Sequence, residues 1–217
     1  MQTLIIIPAY NEAHAIAPVL KTIPPGFSVL VVDDGSTDAT GAIAAACGAR
    51  VVRHVLNRGL GAALRTGFLY AIRMGYDAVI TMDSDGQHNG EEVAIFLKEL
   101  EGGADVVIGR RQAIHMPAIR QWYNAIGALL TRILFGAAMV DTQSGFRALS
   151  VRALRRMQFT TSRMEISSEI IAEAHRTHMH VVEVPITIQY TAYSMSKGQN
   201  LFEGARTAWR LVLKSFS

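Results

Sequence analysis

One cysteine, Cys47, stands in 217 residues. That excludes an internal disulfide and suits a reducing compartment. No apolar run reaches the roughly 18–20 residues that cross a bilayer. The first residues enter a strand-like run, TLIII, with no basic stretch before it. Neither a spanning helix nor a signal peptide is therefore expected. Six prolines and eighteen glycines are ordinary numbers for this length, and no repeat or low-complexity tract appears, so fibrous and disordered classes drop out. A formal charge of +3 is too small to argue for nucleic acid. The marked deficit is local. Between 110 and 156 only Asp141 opposes eight arginines, a stretch suited to an anionic partner. The expected setting is cytoplasmic, with peripheral contact at the inner face of a membrane.

What is present is a half-hydrophobic chain, enough for a sizeable core. The apolar runs TLIIIP, SVLVVDD, ARVVRHV, DAVITMD and DVVIGR alternate with helix-like stretches at 13–22, 38–47, 60–74 and 90–101. Continuous Val/Ile runs predict strands covered on both faces, and the alternation predicts an α/β fold with a mostly parallel central sheet and helices on both faces. After Arg111 the pattern predicts a helix over 119–135, a loop and strand over 141–149, a helix over 162–177, a strand in VVEVPITI, and a helix over 200–216 carrying Trp209. No linker separates these parts, so the expectation is one domain.

In such sheets ligands bind beyond the carboxyl ends of the strands. Those ends carry PAYNE (8–12), DDGSTD (33–38), NRGLG (57–61), DSDGQH (83–88) and GRR (109–111). Asp83 and Asp85 project to one side of an extended chain and make a hard oxygen site for Mg2+ or Mn2+, with Gln87 adding a carbonyl and Gly86 the sharp turn. A cation there would offset the repulsion between the two acids. A D-x-D pair alone suits an exposed turn equally well; the company of the other motifs at one edge favours a site.

Asp34 can accept from a nucleobase N–H or a ribose hydroxyl, while Asp38, Ser36 or Thr37 suits a helix cap. In PAYNE, Tyr10 can stack on a base and Glu12 can reach a sugar. The Gly-x-Gly of NRGLG is out of place for a dinucleotide fingerprint. It reads as close backbone packing at a helix start, with Arg58 and Arg65 as phosphate contacts. His175, His178 and His180 lack a further ligand and read as a solvated helix end, not zinc.

The ordered set PAYNE, DDGSTD, DSDGQH, GRR, DTQSGFR, EVPI and SK resembles the inverting family 2 glycosyltransferases of the GT-A fold. More narrowly, it resembles the dolichyl- and polyprenyl-phosphate sugar synthases, the group containing dolichol-phosphate mannose synthase. The resemblance implies a single glycosyltransferase domain over 1–217, with a nucleotide-sugar half (1–111) and an acceptor half (112–217) ending in a helix. It implies Pro8, Tyr10, Glu12, Val32 and Asp34 around the nucleoside, with Asp83, Ser84 and Asp85 at the diphosphate. Asp83, Asp85 and Gln87 would hold the Mg2+ or Mn2+, and Arg111 and Lys197 the acceptor phosphate. Thr191 stands where these synthases usually carry an arginine, so Arg147 or Arg120 is the candidate substitute.

The implied reaction moves a sugar from a GDP- or UDP-linked donor to a dolichyl or undecaprenyl phosphate. A hydroxyl acceptor in polysaccharide or glycolipid synthesis is the nearest rival, and it would need a base, for which Asp141 is the candidate. A catalytically silent nucleotide-sugar-binding subunit of a membrane complex is a rival of another class; the Asp83/Asp85 pair and Arg111 argue against it. The lipid acceptor implies a membrane surface as partner, with a membrane protein as a second anchor through the C-terminal helix. The apolar run IGALLTRILFGAAM beside arginines suits either a membrane-surface helix or one covering the sheet.

Overall fold

The computed structural model describes residues 1–111 and 144–188. Seven strands form one sheet: β1 (Thr3–Ala9), β2 (Ser28–Asp33), β3 (Arg50–Arg53), β4 (Ala78–Thr81), β5 (Val106–Arg111), β6 (Arg147–Ser150) and β7 (Val181–Ile186). Their spatial order is β3-β2-β1-β4-β6-β5-β7. All pairs are parallel except those of β6, which runs antiparallel between β4 and β5. The expected mostly parallel α/β sheet is therefore present. The insertion of β6 is a pairing that no local pattern encodes.

Six helices flank the sheet among the described residues: α1 (Ile16–Thr22), α2 (Thr40–Ala46), α3 (Leu60–Met74), α4 (Val93–Glu101), α5 (Val151–Arg156) and α6 (Ile166–Arg176). The strands alternate their side chains between two cores. Leu4, Ile6, Leu30, Val32, Val79, Val106 and Ile108 join the core under α3, α5 and α6. Ile5, Ile7, Val31, Ile80 and Val107 join the one under α1, α2 and α4. Burying both faces is what selects uninterrupted Val/Ile runs here, and each such side chain contributes about 1.5–3 kcal/mol through burial.

Element by element, α3 spans the residues expected of it, and the other expected helices start later or divide. A 3-10 turn, Gly90–Glu92, precedes α4. Helix α2 begins at Thr40 without a side-chain cap from Ala39; Asp38 instead accepts from the Thr40 amide at 2.9 Å and from the Ala13 amide at 3.1 Å, tying the two site loops together. Helix α5 was not expected. Its signal is Ser150, whose hydroxyl caps it by accepting from the Ala153 amide at 3.1 Å ahead of Val151, Ala153 and Leu154, all buried. The readings of 119–135 and 200–216 lie outside the described residues.

Candidate active site

Strands β1 and β4 are neighbours from which the strand order departs in opposite directions, and a crevice opens beyond their carboxyl ends, as such a switch point dictates. The cleft, of about 260 Å³, is lined by Pro8, Glu12, Leu60, Asp83, Ser84, Asp85 and Met164. Five of these seven were expected at the donor. Leu60 and Met164 were not, because tertiary packing brings them in. Gly59 (φ +93°) opens α3, and a Cβ on it would come within 2.5 Å of the Ser162 carbonyl oxygen. The bare backbone at Gly59 and Gly61 thus lets the 159–165 segment close over the start of α3 and present Met164.

The two acids of DSDGQH line the cleft, and each has one oxygen hydrogen-bonded within the motif. Asp83 Oδ2 lies 3.2 Å from His88 Nε2, and Asp85 Oδ1 accepts from the Gln87 amide at 3.0 Å. Asp83 Oδ1 and Asp85 Oδ2 have no hydrogen bond from the described residues. Gly86, at φ +78°, makes the turn between them. The Asp83 side chain is 38% exposed and lines the cleft. The carboxylate lies against Gly145, where any Cβ would overlap it.

Their electrostatics differ. Burial pushes the Asp83 carboxyl up, but the His88 hydrogen bond and the charges of His88, Arg147 and Arg111 bring it below the usual carboxylate range. Burial also pushes Asp85 up, and here the Asp83 and Glu12 charges add to it, so Asp85 stays above that range despite the Gln87 amide and His88. Three acids thus converge on one cleft, and a divalent cation would relieve the repulsion that Asp85 carries. Among the described residues no group of three or more His, Cys, Asp or Glu side chains is arranged to hold a metal. Two carboxylate oxygens suit Mg2+ or Mn2+, which take remaining ligands from phosphates and water.

Residues 4–159 match the profile of Glycosyl transferase family 2. The chain belongs to that family. It is a glycosyltransferase. Among its relatives, a UDP-N-acetylglucosamine–dolichyl-phosphate N-acetylglucosaminyltransferase of Methanococcus voltae is 30% identical over 96% of this chain and 94% of that one. A polyprenol monophosphomannose synthase of Mycolicibacterium smegmatis is 33% identical over 93% of this chain and 83% of that one. The sheet and its helices form a GT-A fold, shared with glucosyl-3-phosphoglycerate synthase from Mycobacterium tuberculosis in complex with Mn2+, UDP and glucosyl-3-phosphoglycerate. That structure gives a TM-score of 0.78 and 21% identity over 99% of this chain and 78% of that one.

Within this glycosyltransferase several expected site residues sit differently from the motif reading. Val32 is fully buried in the core, so its side chain lies beneath the site and not at a nucleoside. Arg147 is 2% exposed; its Nε donates to the Ser144 carbonyl at 2.7 Å and its Nη1 to the Ser167 carbonyl at 2.8 Å. It braces the site from below and adds charge to Asp83, where an acceptor-phosphate contact was expected. Asp34, 4% exposed, accepts from His54 Nδ1 at 2.6 Å and from the Arg58 and Gly59 amides at 3.0 and 2.7 Å. Its carboxylate organises the 54–59 loop. Arg65 donates to the Phe159 and Thr160 carbonyls, a structural use in place of a phosphate contact.

Tyr10 is exposed beside the cleft loop. Asn11 Oδ1 accepts from the Thr37 amide at 2.8 Å, joining PAYNE to DDGSTD. Arg111 ends β5 near enough for its charge to act on Asp83. Gln87 is half-buried beside Asp85. Lys197, Asp141, Arg120 and Thr191 lie outside the described residues.

Proposed function

We propose that this glycosyltransferase transfers a sugar, with inversion, from a nucleoside diphosphate donor to a polyprenyl phosphate, and that the transfer requires Mg2+ or Mn2+. One observation carries the donor side: Asp83 and Asp85 line the same cleft, each with one oxygen that no described residue bonds, and Asp85 is held above the usual carboxylate range by burial and by two neighbouring acids. The relatives that act on dolichyl and polyprenyl phosphates along most of their length support the acceptor class.

The chemistry follows from the charges. A phosphate monoester has a second pKa of about 6 and is mostly dianionic at neutral pH. Its oxygen attacks the anomeric carbon as the bond to the donor phosphate breaks, and that electron pair leaves with the nucleoside diphosphate. No general base is needed, so Asp141 has a role only for a hydroxyl acceptor. Glu12 and Ser84 line the donor cleft, with Tyr10 beside it, while Arg111 and Lys197 hold the acceptor phosphate. Asp83, Asp85 and Gln87 would hold a divalent ion, which would stabilise the leaving group's charge.

A panel of UDP- and GDP-linked sugars tests the reading. Each donor is incubated with polyprenyl phosphate and Mg2+ or Mn2+, and products are weighed by mass spectrometry. The expected result is a polyprenyl-phosphate sugar formed only with metal. Transfer to a glycan or glycolipid hydroxyl, with none to polyprenyl phosphate, would replace it with the hydroxyl-acceptor reading.

A further inference from the structure

We propose that His88 is a positioning residue for the metal: its Nε2–H holds Asp83 Oδ2 and so turns Asp83 Oδ1 to the cleft. The inference rests on the metal-dependent reading above and assigns a residue that reading does not use. His88 is held at its ring and at its backbone. Its ring is 5% exposed and packs on Phe146 at 5.1 Å between centroids, and Phe146 stacks on Phe96 at 4.3 Å. Its backbone forms an antiparallel bridge with Ile188, beyond the end of β7.

The ring nitrogens divide unequally. Nε2 stands 3.2 Å from Asp83 Oδ2, whereas Nδ1 is buried without a hydrogen-bond partner among the described residues. A carboxylate oxygen only accepts, so the proton between the pair sits on Nε2. Asp83 also lies against the bare Cα of Gly145, where a Cβ would overlap both carboxylate oxygens and the carbon between them. The N–H and this wall together restrict how the carboxylate can turn, and the oxygen that receives no hydrogen bond from the described residues is Oδ1. Hydrogen-bonding partners of this kind orient ligand carboxylates, and their loss typically weakens metal affinity about 10–100-fold.

The variants His88→Gln, His88→Asn and His88→Leu separate positioning from packing. A glutamine amide reaches as far as Nε2, an asparagine amide only as far as Nδ1, and leucine fills space without a donor. Mn2+ binding is read by electron paramagnetic resonance with UDP and, separately, with GDP, alongside melting temperature and the metal dependence of turnover. The expected pattern is a Mn2+ affinity near wild type for Gln and lower by about tenfold or more for Asn and Leu, with Gln and Asn melting alike. A purely packing role would move the melting temperatures and leave Mn2+ affinity unchanged. Should Leu fail to fold, the Gln and Asn pair decides. Wild-type Mn2+ binding with Gln and Asn equal overturns the assignment alone; no Mn2+ binding by the wild type with either nucleotide overturns the metal reading and the assignment together.

Discussion

At the scale of single residues, the site depends on how closely Gly145 meets Asp83 and on the charge that Asp85 retains. Gly145→Ala would drive a methyl into the Asp83 carboxylate. Overpacking of this kind costs about 1–3 kcal/mol, and here the carboxylate must move. The expected outcome is at least a tenfold loss of metal-dependent nucleotide affinity by calorimetry; unchanged affinity would mean Asp83 does not need its present position. Asp85→Asn tests the opposite sign. The folded-state pKa of Asp85 is raised, so Asp85 favours folding below the ordinary value of 3.8 and loses that contribution as pH rises through the raised value. At neutral pH without metal, its charge opposes folding. Asp85→Asn should therefore melt in EDTA at or above the wild-type temperature while turnover falls by at least about 100-fold. A lower melting temperature with activity retained would contradict both halves.

The residues legible in the sequence were those whose role is local: Asp83, Ser84, Asp85, Glu12 and Pro8 sit at strand ends and reach the cleft with their immediate neighbours. Gly145 and Met164 were not legible, because one abuts Asp83 from the start of β6 and the other arrives on the connection between α5 and α6. Arg147 misled for a related reason. An arginine in a motif can reach outward or brace backbone carbonyls, and the sequence does not separate the two.

At the scale of elements, the strands were readable because two-sided burial imposes unbroken apolar runs, whereas their order in space was not. The segment between α5 and α6 shows what such order adds. Glu169 on α6 accepts from the Thr160 and Thr161 amides at 2.9 and 3.0 Å and from both their hydroxyls at 2.6 Å. These bonds pin the stretch that packs on Gly59 and Gly61 and carries Met164. Burial pushes the Glu169 carboxyl up, but the four threonine donors bring it below its ordinary 4.5. Its stabilising contribution is thus present above that value and is lost as pH falls through the lower folded value. Glu169→Gln keeps one acceptor and loses the charge, so it should destabilise by about 1–3 kcal/mol at pH 7 in urea unfolding. The difference from wild type should narrow as pH falls below 4.5. Donor affinity should fall with it, since Met164 lines the cleft; equal donor affinity would show that the pinned stretch does not shape the donor site.

At the scale of the whole molecule, the arginine-rich stretch does not form one face. Arg110 and Arg111 end β5 at the cleft edge, and Arg147 is buried. Arg152 pairs with Asp105 at 2.7 Å, just before β5 begins, and Arg156 donates to the Thr177 carbonyl, ahead of β7. Both belong to the opposite edge. The charge that the described arginines could offer a membrane at the site edge is therefore smaller than a count of eight suggests, and no helix among the described residues is long and apolar enough to cross a bilayer. Each arginine that reaches an anionic surface contributes about 1 kcal/mol, roughly fivefold in partitioning, and salt screens it. Arg110 is exposed and lies next to the proposed acceptor phosphate site. Arg110→Ala should lower co-sedimentation with anionic vesicles about fivefold at low salt, Arg152→Ala should leave it unchanged, and high salt should abolish the difference. Equal effects of the two substitutions would mean that the protein meets the bilayer by another face. Negligible binding of the wild type to anionic and neutral vesicles alike would remove the membrane surface as a direct partner.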